Sequence, residues 1–386
     1  MELTTSNNSD EDFANLTNAP GAATGDSPLV NDAESEKSGS ETASSAGLLD
    51  ELDPATNSTD QNGHNGTRKG IPDEYAPNKY KSEDLTHQSW REHKRHVFIL
   101  TSSGKPVFSR YGDVGKLAGF FALLSGIVSF VADNNDEIRT VIAGDRKIVF
   151  LLVGHLYYVA VSTSGETTDQ LRDTLLQYCN SQILSILTNG VERILEKMPS
   201  FDLVGLLGGI NRFLDGLVKG IHSDPSYLLS AVHCLPLPAA LRETIGNILH
   251  RPANKEIFYG MLVYGPNLVH VVRKRRHILK PPDLHLLLNF IHMSKTYKGS
   301  ESWSPICLPK FNAKGFLYAY MTFLTRDLSL LLLSTKADDF YQMKSAKNQI
   351  LSGLISQGAL EGVANASIHR GYVANDIGAP GLLHFL

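Results

Sequence analysis

The sequence predicts an α+β protein with two similar domains, each a five-stranded antiparallel sheet with helices on both faces, preceded by a disordered acidic tail. Three observations lead to this fold class. The composition changes near Trp90, similar hairpins occupy His96–Gly112 and Ile257–Val272, and the same order of elements follows each hairpin. A chain of 386 residues suits about two to three domains, at roughly 100 to 200 residues each.

The first 89 residues differ in composition from the rest of the chain. They carry 17 Asp and Glu against 5 Lys and Arg, a net charge of −12, whereas the remaining residues carry +8. Their hydrophobic side chains are too sparse to offset an ordering cost of roughly 1 to 2 kcal/mol per residue. We therefore predict a disordered acidic region over residues 1–89. We also expect no secretory signal, because basic and apolar leader segments are missing.

The first domain is predicted to begin with a hairpin and to continue as a helix, three strands and a closing helix. Gly104 and Pro106 supply the turn between the two hairpin strands. Apolar residues at helical spacing predict a helix within Val114–Ala132. Thr167 and Gln170 match a capping box at the start of the closing helix. The three predicted strands are Ile138–Ala143, Lys147–Val153 and Leu156–Ser162.

The second domain repeats this order at an offset of 160 residues, from Val97 to Ile257. Between the two units, Val191–Leu249 is helical in pattern and is either a connector or the closing layer of the first unit. Helices are predicted over Pro281–Ile291 and Asp338–Leu354. The predicted strands are Ile257–Tyr264, Leu268–Arg273, Ile306–Leu308, Leu317–Phe323 and Leu328–Leu333.

The sequence offers no motif for catalysis, for a cofactor or for a metal. Two Gly-Lys pairs lack the frame of a phosphate loop, because Pro106 and Leu117 stand where a hydroxyl would bind Mg²⁺. The cysteines are odd in number and far apart, which favours free thiols over a disulfide framework or a zinc site. They are Cys179, Cys234 and Cys307. We therefore predict a binding protein without a cofactor.

Two surface features leave alternatives open. The basic run Arg273-Lys274-Arg275-Arg276, with Lys280 after it, is either a patch for an anionic membrane or a solvated turn at a strand end. The lack of interleaved aromatic residues argues against nucleic acid. Trp303 is predicted on an edge strand because the nearby Pro305 lacks a ladder donor. It is either a lid on its own domain or an anchor for a partner.

Four segments in collinear order resemble the Mon-one family, also called SAND proteins. They are HVFILTSSGKPVFSRYG, KIVFLLVGHLYYVAVS, ESWSPICLPKFNAKGFLYAYMTFL and GAPGLLHFL. The resemblance spans about Trp90 to Leu386, and its most specific block is Trp303–Tyr320. It implies a tri-longin architecture, with tandem longin-like domains at the two units derived above.

The resemblance implies a subunit of a guanine nucleotide exchange factor. The partner would be a Ccz-type longin protein in a heterodimer, and the substrate would be the late-endosomal or vacuolar Rab GTPase. The early-endosomal Rab and an anionic phosphoinositide membrane surface would recruit the complex. This implies a cytoplasmic protein that associates peripherally with endosome and vacuole or lysosome membranes, in vesicle traffic, fusion and autophagy. The alternative is a longin adaptor or tether that binds SNAREs or cargo without exchanging nucleotide.

The resemblance also implies two contact surfaces on the first domain. The first helix and the adjoining edge strand would pair with the longin partner. The candidate interface residues are Val114, Leu117, Phe121, Ile138 and Val141. A polar loop is the candidate for facing the GTPase, with simple closure of a hairpin as the alternative. Its residues are Ser103, Lys105, Arg110, Tyr111 and Asp113.

The predicted boundaries place a first longin domain with a helical extension at 90–250 and a second longin domain at 251–360. Residues 361–386 are predicted as the start of an incomplete third longin domain. In the family, the segment like GAPGLLHFL leads into that third domain, whereas this chain ends at Leu386. A fragment, a truncated isoform and a faulty gene model are the open explanations.

Overall fold

The computed structural model describes residues 80–207, 209–252, 257–274, 277–294, 301–368 and 381. The strands are β1 Arg95–Thr101, β2 Pro106–Ser109, β3 Thr140–Ala143, β4 Arg146–Val153, β5 Leu156–Ser162, β6 Ile257–Tyr264, β7 Asn267–Arg273, β8 Ser302–Leu308, β9 Ala313–Phe323 and β10 Leu328–Ser334. The helices are α1 Gln88–Glu92, α2 Ala118–Ala132, α3 Gln177–Leu187, α4 Gly190–Lys197, α5 Ile210–Ser223, α6 Ser226–Leu229, α7 Ala239–His250, α8 Pro281–Met293, α9 Pro309–Asn312, α10 Phe340–Ser356 and α11 Ala359–Ile368.

The first sheet has the strand order β2-β1-β5-β4-β3 and is antiparallel throughout. β1 lies inside the sheet, and its side chains alternate between two cores. Phe98 and Leu100 join the core on one face, while Val97 and Ile99 join the core on the other. Burial on both faces explains why the middle of this strand, Val97 to Leu100, is an unbroken apolar run.

α2 covers one face of the first sheet. Its buried residues Phe121, Leu124 and Val128 recur at helical spacing and pack on that face. The helix begins at Ala118 and the following strand at Thr140, so both elements are shorter at their N-terminal ends than the sequence predicted. The order of hairpin, helix, three strands and helix is confirmed.

The opposite face is covered by α5 and by a long helix that opens with a π-helical turn, Gln170–Leu176, and continues as α3. The predicted capping box is present just before this helix. The amide of Gln170 donates to Thr167 Oγ1 at 3.1 Å, and the amide of Thr167 donates to Gln170 Oε1 at 2.9 Å. This reciprocal pair satisfies two amides that the first turn of the helix cannot satisfy.

The second sheet repeats the topology of the first, with the order β7-β6-β10-β9-β8. α8 packs on one face, and α7, α10 and α11 pack on the other. The internal repeat predicted from the sequence is therefore confirmed at the level of strand order. β8 lies at the edge of its sheet, as the proline in this strand required.

The structure moves three of the predicted boundaries. α7, which the boundary at 250 assigned to the first domain, contributes Ile245 and Ile248 to the core of the second domain. α11 crosses the boundary at 360 and contributes Ala359 and Val363 to that same core. The described residues begin at Tyr80, inside the predicted disordered region 1–89. Residues 1–79, 369–380 and 382–386 lie outside the described part of the chain.

The two domains meet where α3 and α5 lie against α8. His285 Nε2 lies 2.7 Å from the carbonyl of Ala231, and His285 Nδ1 lies 2.6 Å from the hydroxyl of Tyr178. Since a carbonyl only accepts, Nε2 carries the proton, and Nδ1 accepts from Tyr178. Burial lowers the pKa of His285, which favours the neutral ring that this arrangement uses.

A second polar contact joins the domains through Asn289 on α8. Its Nδ2 donates to Gln182 Oε1 at 3.1 Å and to the carbonyl of Phe213 at 2.9 Å. Gly216 on α5 permits this approach, because a Cβ there would lie 2.9 Å from Asn289 Oδ1. The domain contact therefore depends on matched hydrogen bonds as well as on apolar area.

Asn289→Ala should lower the free energy of unfolding by about 1 to 3 kcal/mol, because buried acceptors on Gln182 and Phe213 lose their donor. Asn348→Ala, on the exposed side of α10, is the matched control and should change stability by less than about 0.5 kcal/mol. Urea unfolding measures both. Equal stabilities would show that Asn289 does not hold the domains together.

Candidate partner surface

The outward side of α2 is an exposed apolar surface. Leu123 is 58% exposed and Phe130 is 73% exposed. A shallow groove runs along this side of the helix. It is lined by Ala122, Leu123, Gly126, Ile127, Phe130 and Val131. Exposed apolar side chains grouped in this way are typical of a protein interaction site.

α2 has two further properties that its own domain does not explain. Its sequence, AGFFALLSGIVSFVA, contains no charged residue. Gly119 and Gly126 lie inside the helix, where glycine costs about 1 kcal/mol relative to alanine. A Cβ at either position would have no atom within 4 Å. Packing among the described residues therefore does not require these glycines, whereas close approach of another backbone would.

β3 continues this surface as a sheet edge. In the described part of the chain it pairs with β4 alone. The other edges are different. On β7, the carbonyl of Leu268 accepts a hydrogen bond from the amide of Leu235 at 2.8 Å. β8 packs against α3. β2 is four residues long and begins with Pro106, which has no amide proton. An unpaired edge is a site where another chain can add.

The second domain shows how a helix in the position of α2 is covered. α8 follows the hairpin of the second sheet as α2 follows that of the first. Its residues 283–289 are all buried, because the sheet lies on one side and α3 and α5 lie on the other. The same kind of helix is thus enclosed in one domain and half open in the other.

The interface residues predicted from the sequence lie on the other side of α2. Leu117, Phe121 and Ile138 are buried in the core of their own domain, and Val114 and Val141 are half-buried against that core. They hold α2 on its sheet and do not form the exposed surface. Leu123 and Phe130, which do form it, were missed because α2 has no charged residue on any side and its pattern does not reveal which side is covered.

Phe121→Ala should destabilise the protein by roughly 3 to 5 kcal/mol, because it opens a cavity under α2. Leu123→Ala removes an exposed side chain from the same helix and is the matched control, with an expected change within about 0.5 kcal/mol. Thermal melts of both variants test the assignment of the two sides. A larger loss for Leu123→Ala would reverse it.

The polar residues predicted to form one GTPase-facing loop lie at the two ends of β2. At the first end, Ser103 Oγ donates to the carbonyl of Pro199 at 2.7 Å, and Lys105 Nζ donates to the carbonyl of Ser200. These two side chains therefore bind the segment after α4. Both contacts lie within the first domain, and the alternative, that this loop merely closes a hairpin, stays open.

The remaining three residues follow the other end of β2. The guanidinium of Arg110 lies 5.1 Å from the centre of the Tyr111 ring, and the Tyr111 carbonyl accepts from Trp90 Nε1 at 3.2 Å. Asp113 Oδ1 accepts from the amide of Gly115 at 2.9 Å. Contact of any of the five residues with a GTPase stays a prediction.

The basic run of the second domain is described only in part. Arg273, Lys274 and Lys280 are exposed around the turn after β7. Arg275 and Arg276 lie outside the described residues. Arg273 Nη1 donates to the carbonyl of His277 at 3.2 Å, a contact that fits a solvated turn. The membrane alternative stays open.

Trp303 packs on its own domain. Its ring is stacked with that of Tyr318 at 5.8 Å between centres, and its Nε1 donates to the carbonyl of Ala337 at 3.0 Å. Phe340 meets the same ring edge-on. These contacts favour a lid on the second domain over an anchor for a partner.

The ionisable groups in the two cores are in an unreactive state. Burial raises the pKa of Cys179 and of Cys307 to about 12, so both thiols stay protonated at neutral pH. Burial also raises the pKa of Asp283 to about 6, and its Oδ1 accepts from the amide of Lys310 at 3.0 Å. In the ranges that the structure covers, no three His, Cys, Asp or Glu side chains cluster as a metal site.

Comparison with protein families matches both domains. Residues 95–217 match the first longin domain of FUZ, MON1 and HPS1, and residues 255–352 match the second longin domain of the same proteins. Each match covers one of the five-stranded sheets. The two domains are therefore longin domains, as the sequence analysis expected.

Curated relatives match most of this chain. A vacuolar fusion protein MON1 homolog of Arabidopsis thaliana is 39% identical over 300 residues, 78% of this chain and 49% of the relative. MON1 homolog A of Gallus gallus is 37% identical over 309 residues, 79% of this chain and 56% of the relative. Protein SAND of Takifugu rubripes is 35% identical over 323 residues, which are 83% of this chain and 62% of the relative. The chain thus spans about half the length of the curated relatives it matches.

Proposed function

Because the chain belongs to the MON1/SAND family of longin-domain proteins, we propose that it is a subunit of a guanine nucleotide exchange factor for the late-endosomal or vacuolar Rab GTPase. The related proteins are named for vacuolar fusion. The observation that carries the proposal is the open apolar side of α2 beside the free edge of β3. This surface needs a partner, and an exchange factor built as a heterodimer supplies one.

The proposed partner is a Ccz-type longin protein. The second domain supports this choice, because there the helix that corresponds to α2 is covered by helices of a neighbouring longin domain. A partner longin domain would cover α2 in the same sense, with its closest approach at Gly119 and Gly126. The partner's helix would be apolar, because no charge on α2 is present to be paired. Together the two first domains would form the platform for the GTPase.

Nucleotide exchange suits a protein without reactive side chains. A GTPase that holds its nucleotide at picomolar affinity binds it with about −16 kcal/mol. An exchange factor offsets this by binding the nucleotide-free GTPase more tightly than the loaded one, and linkage makes nucleotide weaken the factor by the same free energy. Remodelling of the loops that hold Mg²⁺ and phosphate supplies the difference. Such work requires a shaped surface and no proton transfer.

We place the complex peripherally on endosome and vacuole or lysosome membranes, in traffic that includes autophagy. No helix in the described ranges is long and apolar enough to span a bilayer. Arg273, Lys274 and Lys280 are the candidate contacts with an anionic phosphoinositide surface. The early-endosomal Rab would act as a recruiter and not as the substrate.

The second candidate function is a longin adaptor or tether that binds SNAREs or cargo. The same open surface on α2 would then hold a partner that does no exchange. Nucleotide release separates the two functions, because an adaptor leaves the GTPase at its intrinsic rate.

The chain co-purified with a Ccz-type partner should accelerate release of a fluorescent nucleotide from the late-endosomal Rab. The early-endosomal Rab, as recruiter, is the matched control and should keep its intrinsic rate. A stable heterodimer that accelerates release from neither GTPase would favour the adaptor.

Phe130→Asp should weaken binding of the partner at least tenfold, about 1.4 kcal/mol or more, because it places a charge in the centre of an apolar contact. Tyr341→Asp is the matched control, since Tyr341 is 78% exposed on α10. Titration of the partner gives the two dissociation constants. Each variant alone should melt at the same temperature as the unaltered chain. Equal binding by the two variants would remove α2 as the interface.

Gly126→Ala should raise the stability of the chain alone by up to about 1 kcal/mol, because alanine favours the helix and its Cβ meets no atom. The same Cβ should obstruct a closely packed partner helix and weaken the heterodimer. Melting and partner titration are measured on the same sample. A more stable chain with undiminished binding would show that the partner does not approach α2 at this glycine.

A further inference from the structure

The segment Tyr80–Glu92, here called the strap, packs on the first domain although the matched longin domain begins only at residue 95. It lies on the loop that joins β2 to α2. The amide of Gly112 donates to the carbonyl of Tyr80 at 3.1 Å. Trp90 Nε1 donates to the carbonyl of Tyr111 at 3.2 Å. Both ends of the strap are thus hydrogen-bonded to adjacent residues of one loop.

Gly112 leaves room for the strap because it has no side chain. Its φ of 84° lies in the left-handed region, and a Cβ there would lie 2.8 Å from the carbonyl oxygen of Glu83 and 3.4 Å from Trp90 Nε1. Any larger residue would push the strap away from the loop. The same Cβ would lie 3.1 Å from Leu117 Cδ1, just before α2, so the strap, the loop and the start of α2 share one close contact.

Ring contacts join the strap to the sheet and to α2. His93, the residue that follows the strap, stacks on Tyr111 at 3.7 Å between ring centres. Its Nε2 lies 2.7 Å from Oε2 of Glu83 in the strap. The ring of Trp90 lies 6.0 Å from that of Phe120, in the first turn of α2, and meets it edge-on. Trp90 therefore makes direct contact between the strap and α2.

Trp90 is the one fully buried side chain of the strap, and Leu85 packs against the same core from a half-buried position. Trp90 is buried, whereas every other residue from 80 to 92 is exposed or half-buried. Segments with few buried contacts open locally at a free energy well below that of global unfolding. Opening would expose one tryptophan and leave the sheet and the helices of the domain intact.

We propose that the strap is a reversible clasp that fixes the first turn of α2 and so controls the surface that α2 presents. When the strap is seated, Trp90 packs on Phe120 and the loop at Gly112 is held; when it opens, the start of α2 loses both supports. A ligand that binds the open strap would then weaken any partner on α2 by the same free energy. The clasp goes beyond the proposed exchange activity and does not depend on it.

The sequence contains two tryptophans, Trp90 and Trp303. The test uses the full chain with Trp303→Phe, so that the fluorescence comes from Trp90 alone. Gly112→Ala is compared with Gly144→Ala, a matched control whose φ is also positive, at 64°, but whose Cβ would meet no atom within 4 Å. Acrylamide quenching reports exposure of Trp90, and hydrogen exchange reports the amides of 118–124. Glu83→Ala, which removes only the His93 pairing, is a milder third variant.

Gly112→Ala should increase quenching several-fold and speed exchange in 118–124, while amides of β4 and β5 and the cooperative melt match those of Gly144→Ala. Glu83→Ala should increase both the quenching and the exchange in 118–124, but by less. If Gly112→Ala does not fold, the result for Glu83→Ala decides the test. Equal shielding of Trp90 in all variants would overturn the proposal. Loss of the cooperative melt in Glu83→Ala would also overturn it, because the strap would then be an inseparable part of the core.

Discussion

The uncharged and largely apolar character of α2 is the constraint on which the rest of this structure depends. The sheet buries one side of the helix through residues such as Phe121 and Leu124, and it has no means of burying the other. In the second domain, α8 meets the same requirement by packing against α3 and α5. A helix without charges gains nothing from water, so the open side of α2 favours association with another chain.

The contact between the two domains shows why α8 is not a second open surface. Neutral His285 and Asn289 are both held by hydrogen bonds to the first domain or to the connecting segment. These contacts are directional, so they specify one arrangement of α3, α5 and α8. The second domain thereby supports the helices that cover the first sheet from behind, whereas the outward side of α2 has no such cover among the described residues.

The function proposed for this chain requires a shaped surface and no reactive group. Its buried thiols stay protonated, and the buried carboxyl of Asp283 has a raised pKa because it lacks water. The functional variable is the position of α2, and the strap at its N-terminus offers a way to change that position without unfolding the domain. Exchange of nucleotide on a GTPase and regulation of a partner surface are both differences in binding free energy, and neither needs a reactive group.

By itself, the sequence determined the local elements and their order, because strand and helix periods are written in neighbouring residues. It predicted both hairpins, the capping box at Thr167 and the repeated topology, and the segments that resemble the MON1/SAND family identified the longin fold. Only the tertiary structure decided which side of α2 is covered, that α7 serves the second core, and that the segment from Tyr80 packs on the first domain. Phe121 and Phe130 look alike in the sequence, and Trp90 is the single buried anchor of a polar segment. Burial depends on neighbours far away in the chain, and no local pattern records them.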